Sequence, residues 1–554
     1  MIVPENTLAQ SIIQHLLLYN ITTVVISPGS RNAPLTIGFA SHPQFSCYSV
    51  ADERSAAFFA MGMALELQKP VAVICTSGSA VLNFYPAVAE AFYSRIPLVV
   101  ISADRPPHKI DIGDGQTIRQ KHVLKNHVCK SLDLPEFPTK KSDRKLGKAL
   151  HKAISEQLPI HINAPFEEPL YRTLSDFDYR ISSTRIVPSS EKQPQLDAFF
   201  NLWNAAERKL VLIGSGLPDQ FSAAFIRALA SDPSVLVFTE ANSNVRHSEF
   251  INQIDSFISE SNTLFTESLR PDVLLSLGGM VVSKRIKTLL RTYTDLPHFH
   301  VDAHLAYNTF GLDVQHLKMS LASFQQQFVV RNQHVTSTYK QKQLQRYRRK
   351  LEKQSEFEAV AAFSDFSVFK LICETVPADI ALHVSNSASI RYMQLFALPE
   401  KLAVYCNRGT SGIDGSTSTA VGFSVVSSKP TILVTGDISF FYDSNGLWNQ
   451  YIPQNFKIIL INNGGGGIFR ILPGHQENET FHTFFETAHC YTSEHLAKMY
   501  NFTYQTAASS AQLSEALTEF FAASDRRILE IFTPTRTNDL ILDQYFTALK
   551  IDQL

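Results

Sequence analysis

Short runs of β-branched and aliphatic residues recur along the chain, and most of them stop at glycine, serine, asparagine or aspartate. The first set is TTVVISPGS, VAVICTSGS, PLVVISADRP and PIHINAPF. The second is KLVLIGSG, SVLVFTE, DVLLSLGG and HFHVDAH, and the third is IALHVSNS, LAVYCNRG, TILVTGD, KIILINN and RILEIFTP. Being continuously apolar, these runs predict strands buried on both faces, as in parallel sheets covered by helices. Helical stretches fall between them, beginning with one that Asn6 or Thr7 can cap and whose apolar face is Leu8, Ile12 and Leu16. The expected fold class is α/β, with three doubly wound parallel-sheet domains in succession. A polar, proline-containing linker at 182–195 (SSTRIVPSSEKQPQ) ends the first domain. The charged stretch YKQKQLQRYRRKLEKQ predicts a solvated helix leading into the third. The expected domains are 1–182, 183–355 and 356–554.

Two strands of the third set carry the sharpest chemistry. TILVTGD breaks at Gly436-Asp437, and KIILINN breaks at Asn462-Asn463 before the four glycines Gly464 to Gly467. Ligands of open α/β sheets bind in the crevice at the carboxyl ends of the strands. An aspartate at one strand end and an asparagine at the next can give two oxygens to a hard cation. Mg²⁺ takes few protein ligands and completes its octahedron with water and substrate phosphate. The glycines would let backbone groups approach that phosphate closely. Ordinary strand-end turns favour the same residue types.

The 554 residues leave room for three or four domains. Fifty Lys+Arg against 51 Asp+Glu give no excess charge for nucleic acid or an anionic membrane to recognise. The six cysteines form no CxxC, which argues against zinc or a disulfide framework and for a reducing compartment. The start, MIVPENTLAQ, lacks the pattern of a signal peptide, and no apolar run is long enough to span a bilayer. A cytoplasmic protein is expected.

Glu53, in SVADERSAAFFAMGMALEL, stands where a short strand meets an apolar helix, so its carboxyl is expected to be partly buried and its pKa raised. An exposed acid in a helix's first turn, favoured by the macrodipole, is the plainer alternative.

GD followed by NN resembles the diphosphate-binding signature of thiamine-diphosphate enzymes, although Ile438 stands where those enzymes usually show a further glycine. SPGSRNAPL, DERSAAFFAMG, VAVICTSGSAVLNFYPAVAEA, ISADRPP, GDGQTIRQ, INAPFEEPLY, NRGTSGIDG and INNGGGGIFRILPG extend the likeness over nearly the whole chain. Together they resemble the 2-succinyl-5-enolpyruvyl-6-hydroxy-3-cyclohexene-1-carboxylate synthase family of menaquinone biosynthesis. The resemblance implies a pyrimidine-binding domain at 1–182, a central domain at 183–355 and a diphosphate-binding domain at 356–554. It implies thiamine diphosphate and Mg²⁺ or Mn²⁺ as cofactors, and a homodimer or homotetramer whose active site lies between subunits. The implied reaction is transfer: decarboxylation of 2-oxoglutarate, then conjugate addition of the resulting carbanion to isochorismate.

On the same resemblance Glu53 is the cofactor-activating acid, Ile413 the apolar wedge under the cofactor, and Asp437, Asn463 and the Gly465 carbonyl the metal ligands. Gly436 and Ile468 line the cofactor. Ser30, Arg31, Arg105, Gln116, Lys284, Arg285, Ser387, Arg391, Arg408 and Phe469 match substrate-site positions. Both substrates are dicarboxylates, which suits forked cationic partners. Gly115 stands where some relatives carry asparagine. LIGSGLPDQ with Glu240 resembles a dinucleotide fingerprint, but Asp219 takes the third glycine position, so an ordinary strand-to-helix turn is expected. An acetolactate-type carboligase is one competing reading, and a non-catalytic subunit of the same fold is another. A simple 2-oxoacid decarboxylase would need a tandem histidine pair, which the chain lacks, and His475, His482 and His489 read as surface or supporting residues.

Overall fold

The computed structural model describes residues 2–182, 185–186, 196–260, 262–471, 474 and 476–551. Most of the expected first linker, at 183–184 and 187–195, lies outside the described residues, as does His475. Each predicted apolar run is a strand, and three parallel sheets result.

The first sheet runs in the order Ser46–Ser49, Thr23–Ile26, Val71–Cys75, Leu98–Asp104, Ile160–Pro165, Lys130–Asp133. The central sheet runs Val235–Thr239, Lys209–Ile213, Val273–Leu277, His298–Val301, Val314–Leu317. The last runs Ala403–Tyr405, Ala381–Val384, Thr431–Gly436, Lys457–Asn462, Arg527–Phe532, Thr503–Ala507. The first and last sheets therefore share one strand order. In both, the chain reverses direction across the sheet between the first strand and the third, which opens a crevice at the carboxyl ends there.

The helix after the second strand of each of these sheets, Glu53–Leu67 and Ser416–Val426, packs against its counterpart. Both are buried nearly all round, the first mostly apolar and the second with buried hydroxyl side chains at Ser416 to Thr419. A methyl on Gly422 would come 2.0 Å from the carbonyl oxygen of Phe59, so these backbones touch. Phe58, Phe59, Ala420, Val421, Leu433, Phe440 and Ile458 consequently belong to one continuous core that spans the first and last sheets.

The charged helix expected to be solvated is Tyr339–Glu358, and it is solvated on one side only. Tyr339, Leu344, Tyr347, Lys350 and Gln354 face inward. Lys350 is almost wholly buried, where Nζ meets Glu260 Oε1 at 2.8 Å and donates to Ser259 Oγ at 2.6 Å. Long basic side chains can lay apolar stems on a core while their heads find partners, which charge counting along the sequence does not register. Among the described residues no helix is long and apolar enough to cross a membrane. All six cysteines are unpaired.

Candidate active site

The strand Thr431–Gly436 delivers Asp437 to the start of a short helix, Asp437–Tyr442, and the neighbouring strand Lys457–Asn462 delivers Asn463. Both side chains are buried. Asp437 Oδ1 accepts the N–H of Ile438 at 2.7 Å, and Oδ2 accepts those of Gly464 at 2.9 Å and Gly465 at 3.0 Å. His489 Nε2, also buried, lies 3.3 Å from Oδ2 without a hydrogen-bond partner. Asn463 Nδ2 donates to Asp365 Oδ2 at 3.0 Å, while Asn463 Oδ1 is buried without a donor.

The glycine loop differs from expectation. Its N–H groups were expected to face a phosphate, but each has a partner inside the protein: Gly464 and Gly465 serve Asp437, Gly466 donates to the Glu486 carbonyl, and Gly467 to that of Gly465. The physical reason is the buried carboxylate, which is costly unless several donors surround it. Glycine is required where the loop bends: Gly464 has φ +78°, and at Gly465, φ +152°, a methyl would come 2.7 Å from the Glu486 carbonyl oxygen. Arg470 anchors the loop's far end, with Nε and Nη2 both on the Glu486 carboxylate, the latter at 2.9 Å. Ile468 opens the short helix that carries Arg470, and Phe469 sits edge-on to Phe485 with ring centres 5.9 Å apart.

A hard divalent cation fits this donor set. Asp437 gives carboxylate oxygen, Asn463 an amide oxygen that lacks any donor, and Gly465 a carbonyl. No group of three His, Cys, Asp or Glu that could hold a metal occurs among the described residues, so water and phosphate would complete the shell. Gly436 leaves the strand end open, since a methyl there would meet nothing nearer than 3.9 Å. Ile413 is half-buried in a polar loop, and its carbonyl accepts Ser439 Oγ at 2.9 Å.

Glu53 is the first residue of its helix, capped by Asp52, whose Oδ1 accepts the N–H groups of Arg54 and Ser55. The carboxyl is half-buried and forms no hydrogen bond or ion pair among the described residues. Its charge helps hold the buried Cys75 thiol well above its usual range, after burial itself. The flanking residues cross to the last domain: Arg54 Nη2 donates to the Tyr442 carbonyl at 2.7 Å, and Asp52 Oδ2 accepts Asn445 Nδ2 at 2.8 Å.

The predicted substrate-site residues form two groups. Ser30, Arg31, Arg105 and Gln116 gather at the carboxyl ends of the first sheet. Ser30 is exposed. Arg31 is buried, donating to the Phe166 carbonyl at 2.9 Å and pairing with Glu168 at 3.1 Å. Arg105 donates to Ser77 Oγ and the Gly115 carbonyl and lies 3.6 Å from Asp114. Gln116 is exposed, with φ +54°.

The second group joins the central and last sheets. Arg391 Nη1 donates to the Ser387 carbonyl at 2.7 Å, and Ser387 itself has φ +68°. Arg408 Nη1 donates to Asn386 Oδ1 at 2.7 Å and its Nε is buried without an acceptor. Burial lowers the Arg391 pKa, and the positive charge of Arg408 lowers it further. Two partly desolvated arginines this close mark a site suited to an anion. Lys284 is exposed at the start of Lys284–Leu290. Arg285 departs from expectation: its guanidinium stacks 3.8 Å over the Phe546 ring and donates to the Ile258 carbonyl, so it is engaged in joining domains. No hydrogen bond or ion pair among the described residues joins Glu53, or the first group, to Asp437 or Asn463.

Several supporting residues gave no signal in the sequence. Glu90, buried in the helix Tyr85–Ser94, accepts the N–H groups of Gly409 and Thr410 at 2.7 Å each, fixing the loop after Arg408. Gln120 ties Gly78 to Asn163, and Asp443 holds Ser418 through both carboxylate oxygens. Burial pushes Asp365 up to about 6, with the Asp437 charge adding to the effect. At the dinucleotide-like turn a methyl on Gly214 would come 2.2 Å from the Gly279 carbonyl oxygen, and Glu240 is buried on the N–H groups of Val282 and Ser283, while Ser215, Gly216 and Leu217 line a cavity with Gly278 and His300.

Residues 6–130 match the thiamine pyrophosphate enzyme N-terminal TPP binding domain, and residues 386–531 the C-terminal TPP binding domain. Proteins named 2-succinyl-5-enolpyruvyl-6-hydroxy-3-cyclohexene-1-carboxylate synthase are similar over the full length. The one from Flavobacterium johnsoniae is 52% identical over 99% of this chain and 100% of its own. The one from Flavobacterium psychrophilum is 51% identical over the same shares. The chain belongs to the 2-succinyl-5-enolpyruvyl-6-hydroxy-3-cyclohexene-1-carboxylate synthase family. A further synthase, from Christiangramia forsetii, is 45% identical over 98% of each chain. Membership in this synthase family makes the chain a thiamine-diphosphate-dependent transferase of the carboligase type, acting on small molecules.

Proposed function

We propose that this chain decarboxylates 2-oxoglutarate and adds the remaining four-carbon unit to isochorismate, giving 2-succinyl-5-enolpyruvyl-6-hydroxy-3-cyclohexene-1-carboxylate and CO₂ for menaquinone synthesis. The observation that carries the reading is the pairing of Asp437 with the donorless Asn463 oxygen at adjacent strand ends, within a full-length member of the synthase family. Bound thiamine diphosphate supplies the electron sink for decarboxylation. Asp437, Asn463 and the Gly465 carbonyl would hold Mg²⁺ or Mn²⁺ against its diphosphate. Ile413 would support its rings from the apolar side, with Gly436 and Ile468 lining the seat. Glu53, with no partner of its own, would hold and move the proton at the aminopyrimidine.

The dicarboxylate substrates would be read by Arg391, Arg408 and Lys284 with Ser387, and by Arg31, Arg105, Ser30 and Gln116 from the first domain. Phe469 would line the pocket. Arg285 serves this group by orienting the Lys284 helix. Domains at 1–182, 183–355 and 356–554 would act as pyrimidine-binding, central and diphosphate-binding units.

A second copy of the chain completes the site in this reading, as a homodimer or a pair of dimers. Exposed Leu82, Tyr442 and Trp448 supply apolar surface for pairing. Six unpaired cysteines support a cytoplasmic setting.

The test is steady-state turnover of purified protein with thiamine diphosphate, Mg²⁺, 2-oxoglutarate and isochorismate. Formation of the succinylated cyclohexene acid with stoichiometric CO₂ is expected. Turnover of pyruvate in place of 2-oxoglutarate would point to an acetolactate-type enzyme, and no turnover of either to a non-catalytic subunit.

A further inference from the structure

An amide side chain can offer a metal its oxygen or its nitrogen face, and only the oxygen binds a hard cation. At Asn463 something must decide between the two. The residue facing its nitrogen is Asp365, first in the helix Asp365–Thr375 and buried. Asp365 Oδ1 accepts Thr533 Oγ1 at 2.6 Å, and its backbone N–H donates to Asn538 Oδ1 at 2.9 Å. Thr533 holds Oδ1 and Asn538 the backbone of the residue, and Oδ2 is left for Asn463 Nδ2 at 3.0 Å.

Both carboxyl oxygens accept, Oδ1 from Thr533 and Oδ2 from Asn463, and this orders the amide with nitrogen inward and oxygen outward. The outward oxygen is the buried atom that lacks a donor. No lysine or arginine pairs with Asp365 among the contacts of the described residues, so its charge has hydroxyl and amide partners only. From this arrangement we infer that Asp365 is a positioning residue for the divalent cation: it locks Asn463 with its oxygen toward the metal. This inference rests on the metal seat proposed above. Thr533 and Asn538, by holding Asp365, extend the same support to the strand end after Arg527–Phe532.

The experiment measures Mn²⁺ binding by electron paramagnetic resonance at saturating thiamine diphosphate, with the melting temperature of metal-free protein, for wild type, Asp365→Asn and Asp437→Ala. Asp437→Ala tests the seat and should abolish cofactor-dependent Mn²⁺ binding. Asp365→Asn keeps the shape but can donate as well as accept, so the Asn463 amide is no longer held in one orientation. Its Mn²⁺ dissociation constant should rise about 10- to 100-fold, the range for supporting residues around metal ligands. Its metal-free melting temperature should stay close to that of wild type, because the amide keeps the shape and its oxygen still accepts from Thr533. A residue that merely braced the fold would lower the metal-free melting temperature instead, and that result overturns the inference. Unchanged Mn²⁺ affinity in Asp365→Asn with binding lost in Asp437→Ala overturns it too, leaving the seat intact. Unchanged affinity in both variants removes the seat itself.

Discussion

Gly62 faces the carbonyl oxygen of Thr419 so closely that a methyl group on it would come within 2.0 Å of that oxygen. The contact joins the helix that begins at Glu53 to the helix of the last domain that follows the NRGTSGIDG loop. One backbone approach thus sets the distance between the domain that carries Glu53 and the domain that carries Asp437. Gly62→Ala should force the helices apart and lower stability by about 1–3 kcal/mol, the usual cost of overpacking. Denaturant unfolding checks the value. A variant as stable as wild type would show that the two domains do not depend on this contact.

Glu53→Gln should leave thiamine diphosphate affinity within a few-fold of wild type, because Glu53 contributes nothing to the Asp437 seat. Turnover should fall at least about 100-fold, the scale of a lost proton-transfer group. Calorimetric cofactor binding beside initial rates separates the two quantities. Normal turnover would take Glu53 out of the chemistry.

Glu90 holds the loop after Arg408 through the N–H groups of Gly409 and Thr410 and the Thr410 hydroxyl. Glu90→Ala leaves buried donors without an acceptor and should cost about 3 kcal/mol. Since that loop runs from Arg408 to Ile413, KM for 2-oxoglutarate should rise as well. A stability loss with KM unchanged would confine Glu90 to holding the fold.

His383 is buried between Tyr405 and Phe423, with ring centres 5.1 and 4.6 Å away, and burial lowers its pKa to about 3. The unfolded chain binds this proton near pH 6.5 and the folded chain does not. The neutral ring's contribution is therefore full above pH 6.5 and is lost as pH falls toward 3. His383→Phe removes that dependence. Relative to this variant, wild type should lose stability on acidification from pH 6.5 by up to about 1.4 kcal/mol per pH unit. Parallel stability curves for the two proteins would contradict the assignment.

The strands of all three sheets were legible where they are buried on both faces, since an apolar run such as KIILIN allows little else. Among the edge strands, Val235–Thr239 and Ala403–Tyr405 were legible as apolar runs and Ser46–Ser49 as the short strand before Glu53, whereas Lys130–Asp133, Val314–Leu317 and Thr503–Ala507 were not, because their residues are mixed. Asp437, Asn463 and the glycines stood out through their position at strand ends. Glu90 and Asp365 did not: each acts on a partner far along the chain, and an acid in a helix looks the same whether solvent or a buried amide faces it. Arg285 looked like Lys284 and Arg391 in sequence, yet a phenylalanine 261 positions later covers it.

The sequence by itself determined the three α/β units, the strand ends that carry the chemistry and the family to which they belong, because periodicity and local residue types are properties of neighbours along the chain. Tertiary structure alone decided which groups are spent and which are free. It turned the Gly464 and Gly465 N–H groups onto Asp437, left the Asn463 oxygen without a donor, and set Glu240 on the N–H groups of Val282 and Ser283. Those outcomes depend on which distant groups burial brings within hydrogen-bonding distance, where an unmet polar atom is costly, and short-range order in a sequence holds no record of that distance.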